Sequence, residues 1–354
     1  MKRINGHSGP VYRRTAIVGT SLVLALLCTL HPSCSKDRPF TKESFLMGTR
    51  VLITIYGLDH NAAQRAAREA MRELHRVESV MSTWKEDSEI SRLNRESKGE
   101  PYHVSNDLFT LVDSSLYYSK ITSGAFDITA RPLVRLWGFQ GGEEKLPTDE
   151  EIVETRAVVG YTKITLDRAA STITLPVGMS LDLAGIAKGY GVDRAADVLK
   201  AHGASSALVN LGGNIYAIGS PPGKEAWTIG IRDPKGTTDV VGTLQISDEA
   251  VATSGNYENF RIIEGTAYGH IIDPRTGWPV DDVLSVTAVA PTALASDALS
   301  TGLFVLGPED GTAIVVASPA VKALFAVPDG PGISYTRAGD FGGNLLLREE
   351  THEK

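Results

Sequence analysis

Strand patterns and helix patterns follow one another irregularly along this chain of 354 residues, and hairpins stand beside strand–helix units. Segment 163–175 repeats Ile-Thr-Leu on both sides of a polar turn, which is typical of a β-hairpin. Segment 60–81 carries apolar residues at helical spacing among many Arg and Glu residues, which predicts a long amphipathic helix. Because a doubly wound parallel sheet requires regular strand–helix alternation, the sequence predicts instead an α+β fold (mixed α/β) in one compact body.

The other elements are predicted from the same two periodicities. Strands are predicted over 45–56, 206–211, 285–290 and 322–327, with several more between 227 and 272. Helices are predicted over 88–94, 105–121, 185–202 and 292–306. Ser105 and Thr292 are the expected N-caps of two of these helices. Segment 124–139 mixes Gly, Pro and aromatic residues and is interpreted as a loop with short helical turns.

The first 34 residues differ in character from the rest of the chain. A basic start is followed by an uncharged, mainly apolar run over 16–30 and then by Cys34, an order typical of an export signal. A cysteine at this position predicts cleavage and a lipid anchor on Cys34, with a plain cleaved signal or an uncleaved anchor as alternatives. The pair Arg13-Arg14 is also a feature of twin-arginine export. We therefore expect an exported, membrane-tethered protein whose residues 35–44 form a polar tether.

Composition narrows the functional classes for the remaining body. The net charge of -7 argues against a nucleic-acid binder, which would carry a basic stripe. Both cysteines, Cys28 and Cys34, fall in the leader, so the body contains no disulfide. No stretch after residue 35 is apolar enough to span a bilayer.

Two oxygen-bearing side chains in segment 292–306 indicate a metal site. Asp297 and Thr301 are four residues apart and share one helix face. Their hard oxygens suit Mg²⁺, which usually keeps further positions for water and substrate phosphate. The alternative is a solvated face or a local hydrogen bond, but the surrounding residues are apolar, and a buried carboxylate requires a partner.

Two further segments carry groups suited to phosphate chemistry. Asp182 precedes a predicted helix start at Ala184-Gly185, and Lys188 lies in the first turn, where free N–H groups favour phosphate. The glycine spacing fits neither a dinucleotide fingerprint nor a P-loop, and a capped helix with a surface lysine is the alternative. His270 stands before an Asp-Pro-Arg-Thr-Gly turn and can act as an acid or base near neutral pH. Arg275 can contact a phosphate or brace this turn.

Three aromatic residues, Trp84, Phe126 and Trp137, offer flat surfaces for an isoalloxazine or adenine ring, with core packing as the alternative. Taken together, the chemistry-bearing segments resemble the FAD:protein FMN transferase family, periplasmic flavin-trafficking proteins once linked to thiamine synthesis. Matching segments run in order from about residue 45 to residue 306. They are 47–49, 81–84, 87–94, 124–129, 132–139, 181–190, 209–214, 252–255, 270–277, 285–292 and 296–298.

This resemblance implies a compact body related to the T-fold, with a transferase domain over 45–340 and a tail over 341–354. It implies FAD as substrate with Mg²⁺, transfer of FMN to a threonine or serine of a partner through a phosphoester bond, and release of AMP. The implied partners are membrane redox subunits of the sodium-pumping quinone reductase and Rnf types. The implied location is the periplasmic side of the inner membrane. FAD hydrolysis, as in a diphosphatase, and FAD binding without chemistry, as in a carrier, are the alternatives.

The resemblance also assigns individual residues. His270 is the implied catalytic residue, which would take the proton of the acceptor hydroxyl. The implied flavin-binding residues are Met47, Trp84, Ala125, Phe126, Asp127, Asp182, Lys188 and Ile271. The implied metal-binding residues are Asp297, Ser300 and Thr301, with a backbone oxygen of Ala184 or Gly185. Some relatives have an acidic residue in place of Lys188 or an Asp in place of Ser300.

Overall fold

The computed structural model describes residues 38–235 and 239–348, which contain seven helices and sixteen strands. The helices are α1 (His60–Met81), α2 (Glu89–Glu96), α3 (Asn106–Ile121), α4 (Arg131–Leu136), α5 (Asp149–Arg156), α6 (Ala187–Ala201) and α7 (Ala293–Val316). The first eight strands are β1 (Phe40–Leu46), β2 (Thr49–Tyr56), β3 (Tyr102–His103), β4 (Thr165–Asp167), β5 (Thr172–Thr174), β6 (Ser206–Leu211), β7 (Asn214–Ile218) and β8 (Trp227–Arg232). The others are β9 (Val240–Ile246), β10 (Ala250–Gly255), β11 (Phe260–Ile263), β12 (Thr266–Gly269), β13 (Ser285–Ala290), β14 (Lys322–Asp329), β15 (Gly332–Ala338) and β16 (Leu345–Leu347).

An eight-stranded sheet with the order β1-β2-β6-β7-β10-β13-β14-β15 forms the centre of the fold. All of its neighbouring strands are antiparallel. Smaller sheets have the orders β16-β9-β8, β3-β5-β4 and β11-β12. The predicted α+β fold class is therefore confirmed: helices and antiparallel hairpins build one body without a doubly wound parallel sheet.

Side-chain alternation along β7 shows how the layers are stacked. Tyr216 and Ile218 pack with α1 and α6 in one hydrophobic cluster, whereas Ile215 and Ala217 pack with the β16-β9-β8 sheet in another. The large sheet thus lies between a helical layer and the small sheet. By the same alternation Asn214, at the start of β7, lies on the helical side together with Tyr216.

The predicted helix over 292–306 is confirmed and continues beyond the predicted end. The Thr292 side chain caps it by accepting a hydrogen bond from Ala295 N at 3.1 Å. At Gly307 the backbone turns to φ 71°, a conformation that glycine adopts without steric cost, and Pro308 restarts the helix after this kink. The first part of α7 therefore has a fixed start and end, with Asp297 and Thr301 in its middle.

The single strand predicted over 45–56 is wrong, because the chain reverses at Met47 and Gly48. Both residues have positive φ, 50° and 73°, as a two-residue hairpin turn between twisted strands requires. Leu46 then faces Thr49 across the hairpin. Met in this conformation gives no turn signal in the sequence, since Asn and Gly are the residues usually found there.

The predicted tether and tail each include residues that the structure places in strands. Residues 40–44 belong to β1, which pairs with β2, and residues 345–347 form β16, which pairs with β9. The second strands of two hairpins, β7 and β15, were not predicted either. The predicted leader over 1–34 and the lipid on Cys34 lie outside the described residues. Within the described residues, no helix combines the length and apolar character that a membrane crossing requires.

Candidate active site

A cleft of ≈ 1170 Å³ lies where two hairpin turns meet the helical layer. It is lined by the β1–β2 turn, the β6–β7 turn, the end of β10, the start of α6 and the middle of α7. The two turns are adjacent because Gly212 N donates to Arg50 O at 3.0 Å. Segments distant in sequence therefore contribute to one concave surface, the usual form of a small-molecule site.

The cleft brings together nearly all residues that the sequence assigned to function. The lining includes Met47, Trp84, Ala125, Phe126, Asp127, Asp182, Ala184, Gly185, Lys188, His270, Ile271, Asp297 and Thr301. Ser300 is the exception among the residues that the resemblance assigned: it is buried and does not line the cleft. Its Oγ lies 2.9 Å from Ser254 Oγ and donates to Asp297 O at 2.9 Å.

Asp297 is held at the cleft floor by donors on both carboxylate oxygens. Gly189 N of α6 donates to Oδ2 at 2.8 Å, and the Asn214 amide, oriented so that its donor faces the carboxylate, donates to Oδ1 at 3.0 Å. Burial raises the pKa of Asp297 above its usual range, while Lys188, Gly189 N–H and Asn214 oppose this shift. A carboxylate buried in this way is favoured in its charged form by a cation.

The close contact between α6 and α7 depends on Gly189. A Cβ at this position would lie 2.1 Å from Ala293 O and 2.8 Å from Asp297 Cβ. Only glycine therefore lets the Gly189 N–H reach Asp297. The same two helices are joined at the start of α7, where Asp193 accepts from Ala293 N at 2.7 Å and from Leu294 N at 2.8 Å.

Two hydroxyl groups, those of Ser254 and Thr301, line the cleft together with Asp297. Ser254 Oγ lies 3.3 Å from Thr301 Oγ1, and both residues line the cleft. Gly185 is close to this pair, since a Cβ there would lie 3.2 Å from Thr301 Oγ1. Among the described residues, no group of three or more His, Cys, Asp or Glu side chains is arranged to hold a metal.

This donor set fits Mg²⁺ and not a metal that requires several protein ligands. One carboxylate, two hydroxyls and the backbone around Gly185 are hard oxygen donors. Mg²⁺ commonly takes only one or two carboxylates and completes its octahedron with water and substrate phosphates. Thr301 and Asp297 line the cleft and thus fit the predicted metal site, whereas Ser300 is buried and does not line it.

His270 lines the same cleft and follows β12 directly in the chain. Its Nδ1 lies 3.0 Å from Asn259 O, and since a carbonyl only accepts, Nδ1 carries the proton and Nε2 is left as an acceptor. Burial, reinforced by the positive charge of Lys188, lowers the pKa of His270 below its ordinary value. The imidazole is therefore neutral and able to accept a proton near pH 7.

The α6 turn and the loop before α4 form the side of the cleft. Asp182 accepts from Ala184 N at 3.2 Å and lies 3.5 Å from Thr83 Oγ1. Asp127 accepts from Thr129 N and Tyr161 N, each at 2.8 Å, so its carboxylate also organises the local backbone. Burial raises the pKa of Asp127 above its usual range.

The aromatic predictions separate into two groups. Trp84 is 76% exposed and Phe126 is buried, yet both line the cleft and fit the flat-surface interpretation. Trp137 is fully buried and does not line the cleft; its Nε1 donates to Gly277 O at 2.8 Å, as the core-packing alternative requires. Arg275 likewise braces its turn, with Nε 2.9 Å from Asp273 Oδ1.

Sequence reasoning missed three polar residues that line the cleft, Arg131, Gln140 and Ser254. It also missed Asn214, which is buried against Asp297 and Lys188. Asn214 and Ser254 stand within matched segments 209–214 and 252–255, so their segments were identified although no role was assigned. Arg131 and Gln140 have no comparable signal, because nothing in a single sequence indicates which side of a short loop faces a cleft.

Comparisons with known proteins agree on one family. The model of the ApbE family matches residues 47–325. The FAD:protein FMN transferase of Vibrio cholerae is 38% identical over 272 residues, covering 76% of this chain and 81% of that protein. The FAD:protein FMN transferase of Treponema pallidum is 34% identical over 329 residues, covering 87% of this chain and 90% of that protein.

Solved structures give the same result for the fold. The ApbE protein of Thermotoga maritima matches with a TM-score of 0.80 and 32% identity, covering 88% of this chain and 100% of that chain. The flavin transferase ApbE of Vibrio cholerae matches with a TM-score of 0.78 and 33% identity, covering 86% of this chain and 98% of that chain.

Proposed function

Because this chain belongs to the ApbE family, as its ordered motifs predicted, we propose that it is a flavin transferase that moves FMN from FAD to a protein. The relatives that carry the name FAD:protein FMN transferase are matched over most of their length. The observation that carries the proposal is that Asp297 and His270 line one cleft. A carboxylate suited to a cation and a neutral imidazole thus face one space.

In the proposed reaction a serine or threonine hydroxyl of the acceptor attacks the flavin-side phosphorus of FAD. A new P–O bond joins FMN to the acceptor. The bond from the flavin-side phosphorus to the bridging oxygen of the diphosphate breaks, and AMP leaves with that oxygen. His270 Nε2 accepts the hydroxyl proton, while Asn259 O holds the ring through Nδ1. Such base catalysis typically contributes about 10²–10⁴-fold.

The remaining cleft residues bind and orient the substrate. Trp84 and Phe126 offer apolar surface to the rings of FAD. Lys188, in the first turn of α6, adds positive charge where the diphosphate would lie. Asp182 and Asp127 fix the backbone on which these contacts depend.

Mg²⁺ is the proposed cofactor, held by Asp297, Thr301 and a backbone oxygen of Ala184 or Gly185. When bound, it supplies charge neutralisation of the diphosphate, whose negative charge otherwise repels the attacking oxygen. Ser254 is the hydroxyl that the geometry adds to this set, in place of the predicted Ser300.

The proposed setting follows from the leader and the resemblance. We propose export, a lipid on Cys34 and activity on the periplasmic side of the inner membrane. Acceptors of the sodium-pumping quinone reductase and Rnf types are the proposed partners. A membrane fraction that lacks the protein after expression with its own leader would contradict the anchor.

Mass spectrometry tests the proposed reaction. The protein, FAD, Mg²⁺ and a candidate acceptor are mixed, and the acceptor is expected to gain one FMN on a serine or threonine, with AMP in equal amount. FMN and AMP without a modified acceptor would indicate the diphosphatase alternative. FAD that stays intact for hours with Mg²⁺ would indicate the carrier alternative.

A further inference from the structure

Asn214 is a buried polar side chain next to Asp297, and the proposed reaction does not use it. It is 4% exposed and begins β7 directly after the Gly212-Gly213 turn. Strand alternation directs it to the helical side of the sheet, where α6 and α7 meet. Burying an amide there costs free energy unless its donor and acceptor groups are both satisfied.

The partners of Asn214 determine which way its amide faces. Lys188 Nζ lies 3.3 Å from the amide oxygen, and Asp297 Oδ1 lies 3.0 Å from the amide nitrogen. A lysine ammonium has only donors and an ionised carboxylate has only acceptors. The reverse orientation would place the amide nitrogen against the ammonium and the amide oxygen against the carboxylate, so only one orientation is compatible with both partners.

The position of Asp297 follows from this arrangement. Its Oδ1 is held by Asn214 from β7, and its Oδ2 is held by Gly189 N from α6. The two donors come from different elements and approach different oxygens, so together they fix both the translation and the rotation of the carboxylate. Each oxygen retains a lone pair for a ligand on the cleft side.

We infer that Asn214 is a positioning residue that aims the Asp297 carboxylate at a bound divalent cation, and that Lys188 keeps the Asn214 amide in the required orientation. The inference deepens the cation site of the proposed function and rests on it. Residues that orient metal ligands through hydrogen bonds commonly change metal affinity by about 10–100-fold when they are removed. Asn214 acts through Asp297 and does not itself need to touch the cation.

Mn²⁺ binding to the full chain tests this role without relying on turnover. Electron paramagnetic resonance measures free Mn²⁺ during titration, alone and with ADP as a diphosphate that carries no flavin. Asn214→Ala is expected to raise the Kd for Mn²⁺ by about 10–100-fold. Asn214→Ser, which keeps a short donor, is expected to give an intermediate Kd and carries the test if the alanine variant does not fold.

Asn94→Ala is the matched control for the loss of a buried amide. The Asn94 side chain donates to Leu181 O at 2.9 Å and accepts from Leu181 N at 2.7 Å, so it also makes two hydrogen bonds. It touches neither Asp297 nor Lys188 in the described residues. The control is expected to lower the melting temperature and leave the Kd for Mn²⁺ within about twofold. Equal Mn²⁺ affinity in wild type and Asn214→Ala would overturn the role of Asn214.

A double-mutant cycle with Lys188→Met tests the second half of the inference. Removing Lys188 takes away its direct repulsion of the cation in both backgrounds, so this contribution cancels in the cycle. If Lys188 also holds the amide, Lys188→Met should tighten Mn²⁺ binding more in the Asn214→Ala variant than in the wild-type protein, by about threefold or more. Equal factors in the two backgrounds would show that Lys188 does not act through Asn214.

The outcomes separate this inference from the proposed function. A wild-type protein that binds Mn²⁺ more tightly than Asn214→Ala but modifies no acceptor sinks the transferase proposal and leaves the positioning role standing. A wild-type protein that transfers FMN but binds Mn²⁺ no better than Asn214→Ala supports the transferase proposal and overturns the positioning role. A wild type with no Mn²⁺ binding, either alone or with ADP, overturns the positioning role.

Discussion

The surroundings of Asp297 and of His270 in the cleft, here called the cation end and the base end, are built in different ways. At the cation end, Asp297 is buried and receives donors from α6 and β7. At the base end, His270 is half-buried and held by one hydrogen bond to the carbonyl of Asn259, an exposed residue. The first end is fixed by the core of the molecule, and the second by a hairpin on its surface.

The hairpin β11–β12, which precedes His270, is joined to the body by ring contacts, by an ion pair between Arg261 and Glu144 at 2.9 Å and by packing of the buried Ile263. Tyr268 of β12 packs on Trp137 with ring centroids 5.0 Å apart, and the Arg261 guanidinium lies 5.1 Å from the Phe139 ring centroid. These contacts hold the hairpin and not the imidazole itself. The His270 ring makes one hydrogen bond, whereas the Asp297 carboxylate receives two. In the proposed reaction, the diphosphate would meet the carboxylate that is held by two hydrogen bonds, and the acceptor hydroxyl would meet the imidazole that follows the hairpin.

Asp297→Ala should produce the largest effect, because it removes the ligand and disrupts the packing around it. The Gly189 N–H and the Asn214 amide lose their acceptor, which costs about 1–3 kcal/mol of unfolding free energy. Loss of metal assistance worth several kcal/mol predicts at least about a 10³-fold slower transfer. Thermal melting and transfer rates measure the two losses, and unchanged metal dependence would reject the ligand assignment.

His270→Ala should reduce transfer by about 10²–10⁴-fold while sparing the fold. The variant loses one hydrogen bond at a half-buried position, so we expect less than about 1 kcal/mol of destabilisation. FAD affinity, followed by flavin fluorescence, should stay within about twofold. A large drop in melting temperature here, as large as that of Asp297→Ala, would contradict the contrast between the two ends.

Gly189→Ala tests the cation end without changing a functional side chain. The new methyl group would collide with Ala293 O, so α6 and α7 must separate, and overpacking of this kind costs about 1–3 kcal/mol. Gly191→Ala is the matched control on the same helix, since its nearest neighbour is the flexible Leu74 Cδ2 at 3.2 Å. Melting temperatures are compared, and equal losses would argue against a close helix contact at Gly189.

Sequence reasoning succeeded where a local rule determines the structure. The start of α7 follows from Thr292 as N-cap, and the spacing of Asp297 and Thr301 follows from the helical period. It failed where the determining partner is distant in sequence. β16 depends on pairing with β9, and nothing local distinguishes it from a tail.

The same distinction explains what the sequence left undecided at the site. Ser300 and Thr301 are neighbours on α7, and the helical period alone does not say which hydroxyl faces the cleft. In the structure Thr301 lines the cleft, whereas Ser300 is buried, with Ser254 Oγ and Asp297 O as its partners. Asn214 was missed as a site residue because its partners, Lys188 and Asp297, come from two other elements.

Lys188→Met should change the pH dependence of transfer, because Lys188 lies near both Asp297 and His270. The charge of Lys188 contributes to the lowered pKa of His270, so its removal should raise that pKa. Since the neutral imidazole is the active base, activity falls as pH drops through this pKa, and the acid limb of kcat should move to higher pH. Lys200→Met, further along α6, is the control and should leave the limb unchanged. An acid limb that stays at the same pH would show that the charge of Lys188 does not act on His270.

Asp193→Asn should give the smallest effect and probes the anchoring of α7. Burial raises the pKa of Asp193 from 3.8 to about 6, although the Ala293 and Leu294 N–H groups oppose this shift. A carboxyl with a raised folded-state pKa binds protons more tightly when folded, so wild-type stability from this group increases as pH falls from 7 to 5. The asparagine variant lacks this gain.

The difference in unfolding free energy between wild type and Asp193→Asn should therefore shift in favour of wild type by about 1 kcal/mol between pH 7 and pH 5. Urea unfolding at the two pH values measures it, with Asp197→Asn as an exposed control on the same helix. No shift between the two pH values would mean that the two N–H donors offset burial at Asp193. The start of α7 would then be held by a carboxylate that is fully charged in the folded protein, and the cation end of the cleft would depend more on hydrogen bonds than on burial.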